Sequence, residues 1–141
     1  MTALTLKQAN AIASHAVAAA RTMGIPPVTV VVLDASGHLV TMQREDGASM
    51  FRFDVALGKA FGAVGMGVAS RVLAERAKDN PNFFVALAAT AEGKFLPQPG
   101  AVLVRDAAGN LIGAVGASGG TGDEDEAICA QGVKDAGLAP G

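Results

Sequence analysis

The sequence predicts an α+β domain: an antiparallel sheet of about five strands with helices packed on it. Two observations carry this. First, one hairpin pattern occurs twice, as Leu33-Asp34-Ala35-Ser36-Gly37-His38-Leu39 and as Val104-Arg105-Asp106-Ala107-Ala108-Gly109-Asn110-Leu111, with aspartate, alanine, glycine and leucine in register. Second, the order reads helix, hairpin, helices, strand pair, helix, without the single-helix crossovers that a parallel doubly wound sheet requires. A chain of 141 residues is long enough to bury one proper core, so residues 1–141 are expected to form a single domain.

Each element has a local reason. Thr5-Leu6-Lys7-Gln8 fits a capping box, opening a helix that should run to Met23 and stop at Gly24, with Pro26 and Pro27 behind it. Its apolar stripe is Leu6, Ala9, Ile12, Ala13, Ala16, Ala20 and Met23. His15 lies off that stripe, on a small-residue flank with Ala11, Ala18 and Thr22, a surface suited to a flat partner. Val28–Leu33 and His38–Gln43 are the strands of the first hairpin, with Asp34 serving the turn through local hydrogen bonds; Asp106 does the same in the second.

From Arg52 a helical pattern holds Phe53, Leu57, Ala60, Phe61 and Val64 and weakens at Gly65 and Gly67. Gly58 and Gly62 would let another backbone come close. Lys59 falls on a different face, near Val55, Ala56 and Ala63; the simplest role of such a lysine is to extend its ammonium to solvent. Ser70–Lys78 reads as another helix, broken at Asn80-Pro81-Asn82, and Phe83–Ala91 fits a helix or a buried strand equally well. Residues 93–100, with two prolines and two glycines, form a loop with room for a short edge strand. Ala101–Val104 and Leu111–Ala117 make the second hairpin. The last helix begins at Thr121 or Asp123 and runs to Ala136 with Cys129, Val133 and Ala136 inward, and Ala139-Pro140-Gly141 should fray.

Composition narrows the function classes. Half of the residues are hydrophobic but only 4% are aromatic, and alanine and glycine supply much of the apolar content. Such a core gains less per residue than one rich in Leu and Phe, so association into a homo-oligomer is expected. A net charge of −2 with the signs interspersed, and no aromatic stacking set, argues against nucleic acid. The lone Cys129 can form no internal disulfide, and the apolar run Ala9–Ala20 is too short to span a bilayer. A cytoplasmic protein without membrane association is the expectation.

The most informative stretch runs from Gly113 to Ala127: an apolar strand, a glycine-rich turn, then an acid-started helix. Its amides, with Arg44 and Lys59, could converge on a carboxylate, and Ser118, Gly119 and Gly120 are the turn residues placed to take part. Against an anion cradle stand Asp123, Glu124, Asp125 and Glu126, which occupy that helix start and cap it, Thr121-x-x-Glu124 being a second capping box. The glycines then matter more for close backbone approach, and the stretch reads as one wall of a pocket. No serine sits in a Gly-x-Ser-x-Gly elbow and no nucleophilic triad is arguable, so no catalytic residue is assigned.

Residues 31–39 (Val-Val-Leu-Asp-Ala-Ser-Gly-His-Leu), Arg44 with Asp46-Gly47-Ala48, Lys59-Ala60, and Ile112–Gly119 followed by Asp123 occur in that order. The set resembles the GlcG/HbpS-type haem-binding family, related to the C-terminal domain of PduO-type cobalamin adenosyltransferases, over residues 4–137. The resemblance implies a profilin-like sandwich assembled into dimers or larger oligomers. It also implies non-covalent haem as the favoured small-molecule ligand, with haem degradation in some members. His15 lies on the helix that carries the iron-binding histidine of PduO-type relatives, which implies His15 as the haem iron ligand. The chain departs from the family at Gly62, where a threonine or serine is usual. It departs again at Pro99-Gly100-Ala101-Val102-Leu103-Val104, which replaces Pro-Gly-Gly-Val-Pro-Ile. The alternative is a catabolic-pathway enzyme or accessory protein acting on a small carboxylated metabolite, oriented by Arg44 and Lys59.

Overall fold

The computed structural model describes residues 3–141. It contains α1 (Leu6–Met23), β1 (Thr29–Asp34), β2 (Leu39–Arg44), α2 (Phe51–Met66), α3 (Ser70–Asp79), α4 (Pro81–Thr90), β3 (Ala101–Arg105), β4 (Leu111–Ser118), α5 (Gly122–Asp135) and β5 (Ala139–Pro140). The strands form one antiparallel sheet in the order β2-β1-β4-β3-β5. Helices α1 and α5 cover one face, over Val30, Val32, Val102, Val104 and Val115; α2 covers the other, over Val31, Leu33, Leu103 and Ala114. Strands buried on both faces read as continuous Val-rich runs, because alternate side chains feed two different cores.

Both capping boxes form. Thr5 Oγ1 accepts from the Gln8 amide at 3.1 Å, and Thr121 Oγ1 from the Glu124 amide at 3.2 Å, each returned by the N3 side chain. The two hairpins turn alike: Asp34 Oδ1 accepts from the Ser36 and His38 amides, and Asp106 Oδ1 from those of Ala108 and Asn110. Gly37 and Gly109 take φ of 84° and 85°, a left-handed backbone that glycine adopts freely.

Two expectations need correction, at the ends of α1 and at the C-terminus, and two open readings are settled. Leu6 and Met23 are 58% and 48% exposed, because the ends of α1 overhang the sheet; the buried stripe is Ala9, Ile12, Ala13, Ala16 and Ala20. The ambiguous apolar segment after Pro81 is helical as α4, started by a proline at its first turn. Residues 93–100 contain no strand. The C-terminus does not fray: β5 pairs with β3, and Gly141 exchanges backbone hydrogen bonds with Leu103 at 3.0 and 3.1 Å.

Helices α3 and α4 shape the loop that follows them. Leu73, Phe84 and Phe95 form a small separate core, the Phe84 and Phe95 rings stacking with centroids 5.8 Å apart. Next to Phe95, the Leu96 amide donates to the Gly58 carbonyl at 3.1 Å, where a side chain would clash: a Cβ on Gly58 would lie 2.8 Å from Leu96 Cβ. The close approach expected of Gly58 is thus made by this loop, which is fixed against α2. Ser70 Oγ closes the far end, accepting from the Ala101 amide at 2.9 Å.

Candidate functional site

At one end of the sheet, β4 runs out and α5 begins, and the first turns of α2 cross in front. The recess there has a volume of ≈ 380 Å³. Arg52, Val55 and Lys59 of α2 line it at i, i+3 and i+7, so one helical face supplies all three. Ser118 ends β4, Gly120 lies in the turn that follows, Asp125 comes from α5, and Leu96 and Pro99 from the anchored loop.

Lys59 does not reach solvent. Its side chain is 6% exposed, and Nζ donates to the Ala117 carbonyl at 3.0 Å and to Asp125 Oδ2 at 3.2 Å. The other Asp125 oxygen accepts from the Gly120 amide at 2.9 Å. Removing two ions from water is costly unless they pair and their remaining hydrogen-bonding atoms are also satisfied, and here they are. Gly100 makes room for the lysine. Its φ is 135°, and a Cβ there would stand 2.6 Å from Lys59 Nζ.

The four consecutive acids therefore do different things. Glu124 caps the helix, Asp125 is a buried counter-ion, and Arg71 on α3 binds Asp123 and Glu126 together. Arg52, half-buried, donates from Nη1 to Ser118 Oγ at 3.1 Å and makes no ion pair among the described residues. Cys129, packed below, donates weakly to the Gly100 carbonyl at 3.6 Å. Burial first, and then the Asp125 charge, push its thiol pKa well up, so it stays a neutral core group and not a nucleophile.

The predicted site residues divide. Lys59, Ser118 and Gly120 meet in this recess. Arg44 does not line it: its Nη1 donates to the Ala48 carbonyl at 3.1 Å, because β2 lies two strands away from β4. Gly119 is set behind the recess, where a Cβ would be 2.5 Å from the Pro27 carbonyl oxygen. Arg52 takes the place expected of Arg44, and Asp125 is the second residue that sequence reasoning missed. Both had a signal. Arg52 shares helical spacing with Val55 and Lys59, and Asp125 falls on the stripe of Ile128, Cys129 and Gly132.

His15 is elsewhere. It is exposed on α1, in a groove of ≈ 430 Å³ between α1 and α5 lined also by Ala18, Ala19, Met23, Ala127 and Gln131. The groove and the recess share no lining residue. Ala18 and Thr22 lie beside His15, as the flank read from the sequence requires. Arg21 is turned from the groove, pairing with Glu45 at 2.9 Å and donating to the Ile25 carbonyl.

A family model described as haem degrading protein HbpS-like matches residues 4–134. The chain belongs to the HbpS-like family. Among solved structures, this HbpS-like chain is similar to a PduOC haem complex, with 25% identity over 98% of each chain and a TM-score of 0.86. It is 31% identical to a double mutant of Streptomyces reticuli HbpS, covering 95% of this chain and 87% of that one, with a TM-score of 0.80. Klebsiella pneumoniae protein ORFY shares the fold at 23% identity, with a TM-score of 0.86 over 97% of this chain and 93% of that one. No curated protein matches the chain. Among the described residues no single helix is long and apolar enough to cross a membrane.

Proposed function

We propose that this HbpS-like chain binds haem non-covalently in the groove between α1 and α5, where His15 would hold the iron. The observation that carries the reading is the exposed imidazole of His15 beside a concave surface of small residues. The residues present fit the ring: Ala18, Ala19 and Ala127 leave a floor without protruding side chains, Met23 adds apolar surface, Gln131 and Asp135 on the same wall bond each other, and an imidazole nitrogen can hold haem iron. Haem supplies an iron centre whose redox and ligand chemistry is its own. The chain's part is to hold the ring by one face and to present one nitrogen. Membership of the family and the similarity to a PduOC haem complex support this reading.

The groove covers a flat ligand from one side only. A second copy of the chain is expected to cover the other, which matches the low yield of an alanine-rich core and makes the protein a homo-oligomer in this reading. The lone cysteine, buried and neutral, suits a reducing cytoplasm.

Titrating hemin into the purified protein while following the Soret band tests the proposal. Wild-type protein should show a saturable band, and His15→Ala should lose it. Failure of wild-type protein to perturb the hemin spectrum overturns the reading.

A further inference from the structure

The recess at the end of the sheet is separate from the His15 groove, and haem binding leaves it unexplained. Its charges are not all paired. Lys59 and Asp125 pair with each other, and Arg71 engages Asp123 from outside, which leaves Arg52 as the charged side chain on the recess wall without an ion-pair partner among the described residues. Only Nη1 of Arg52 is engaged, by Ser118 Oγ, so the rest of its five-donor fork is available.

A second observation lies in the adjoining strand. Thr29 pairs with Ser118 across β1 and β4, on the sheet face that α2 covers, and is fully buried. Its Oγ1 is the one buried side-chain polar atom among the described residues without a hydrogen-bond partner. Ser118, which lines the recess and accepts from Arg52, thus has a residue with a free buried hydroxyl as its cross-strand neighbour, behind the recess wall. Buried polar groups are normally satisfied; of these two hydroxyls only that of Ser118 lines the recess, where it meets an incoming acceptor together with the open side of the Arg52 fork.

We infer that this recess is a binding site for a small organic carboxylate, gripped by Arg52, with Ser118 at its base and the Lys59–Asp125 pair as its back wall. The planar fork of an arginine matches a carboxylate edge to edge. One guanidinium without an ion-pair partner suits a monoanion. A phosphate dianion would bring a second negative charge close to Asp125 and Asp123, and is disfavoured. The apolar walls, Val55, Leu96 and Pro99, favour a ligand with a short hydrocarbon or hydroxylated carbon portion.

Isothermal titration of the full chain, free of hemin, with acetate, glycolate, lactate and inorganic phosphate decides this. At least one carboxylate should bind at one per chain, and more tightly than phosphate. Arg52→Ala should weaken it tenfold or more. Arg52→Lys keeps the charge and most of the stem, so it should fold as wild type and still weaken binding several-fold. Absence of binding by every carboxylate, equal affinity in wild type and Arg52→Lys, or tighter binding of phosphate would each overturn the proposal. No haem is present, so the outcome is independent of the His15 reading.

Discussion

Asp125→Ala tests the construction of the recess. The substitution leaves the Lys59 ammonium, in a residue only 5% exposed, with the Ala117 carbonyl at 3.0 Å as its remaining partner. It also strips the Gly120 amide of its acceptor. Removing one member of a buried ion pair costs about 3–5 kcal/mol, mostly from the charge left without compensation. A domain of this size has roughly 5–15 kcal/mol in hand, so the variant should fold but with its margin cut severely. At about 2–4 °C per kcal/mol for chains a little longer than this one, the melting temperature should fall by roughly 6–20 °C. Replacing both residues with apolar ones, Lys59→Met with Asp125→Leu, should recover most of the loss, since a buried pair is worth little against well-packed hydrophobes. Urea unfolding of wild type, both single variants and the double variant gives the coupling. Single losses that simply add, with coupling under about 0.5 kcal/mol, would refute the picture of a dry, mutually dependent pair.

Three further outcomes follow from other residues. The two turn aspartates carry a pH dependence. The Asn110 amide holds the Asp106 carboxyl below its ordinary 3.8; for Asp34, burial pushes upward, but the His38 and Ser36 amides outweigh it and the net direction is again down. The unfolded chain then takes up protons first as pH falls, so their stabilisation is complete above about pH 4 and lost as pH drops through the depressed values. The Asp34→Asn, Asp106→Asn double variant should lose less stability than wild type between about pH 5 and 2.5 in urea titrations, and parallel losses would contradict this. Gly100→Ala combines a backbone at φ 135° with a Cβ 2.6 Å from Lys59 Nζ. Strain of this kind costs about 1–3 kcal/mol, so an unchanged unfolding midpoint would show that the lysine is not confined there. Thr121→Ala removes the α5 cap and should cost about 1 kcal/mol by the same measurement, with no loss below about 0.3 kcal/mol expected if the capping box forms.

Much of this architecture was legible because local chemistry agrees with the global fold. Thr5 and Thr121 cap where capping boxes predict, and the repeated Asp-x-x-Gly turns fold alike because each aspartate satisfies the same two amides. The failures came where tertiary context overrides a local rule. Lys59 looked like a surface lysine because its counter-ion is 66 residues away, on a helix whose acids all read as capping. Asp125 was hidden inside that run, although its spacing to Ile128, Cys129 and Gly132 marks the buried face. Arg44 stood out as part of the Arg44, Asp46-Gly47-Ala48 motif, whereas Arg52 marked only the start of a helix. Which of two arginines faces a recess depends on strand order, and strand order is not written locally. The β5 pairing of Ala139–Pro140 escaped notice for the same reason: two residues carry no periodicity.

The central claim, that His15 ligates haem iron, is tested most directly by rescue. Hemin is added to His15→Ala with and without free imidazole, and the Soret band is compared with that of wild type. The band should be lost in the variant and restored by imidazole occupying the position that the His15 side chain vacates. A variant that keeps the wild-type band without imidazole would contradict it, and would move the iron ligand away from α1.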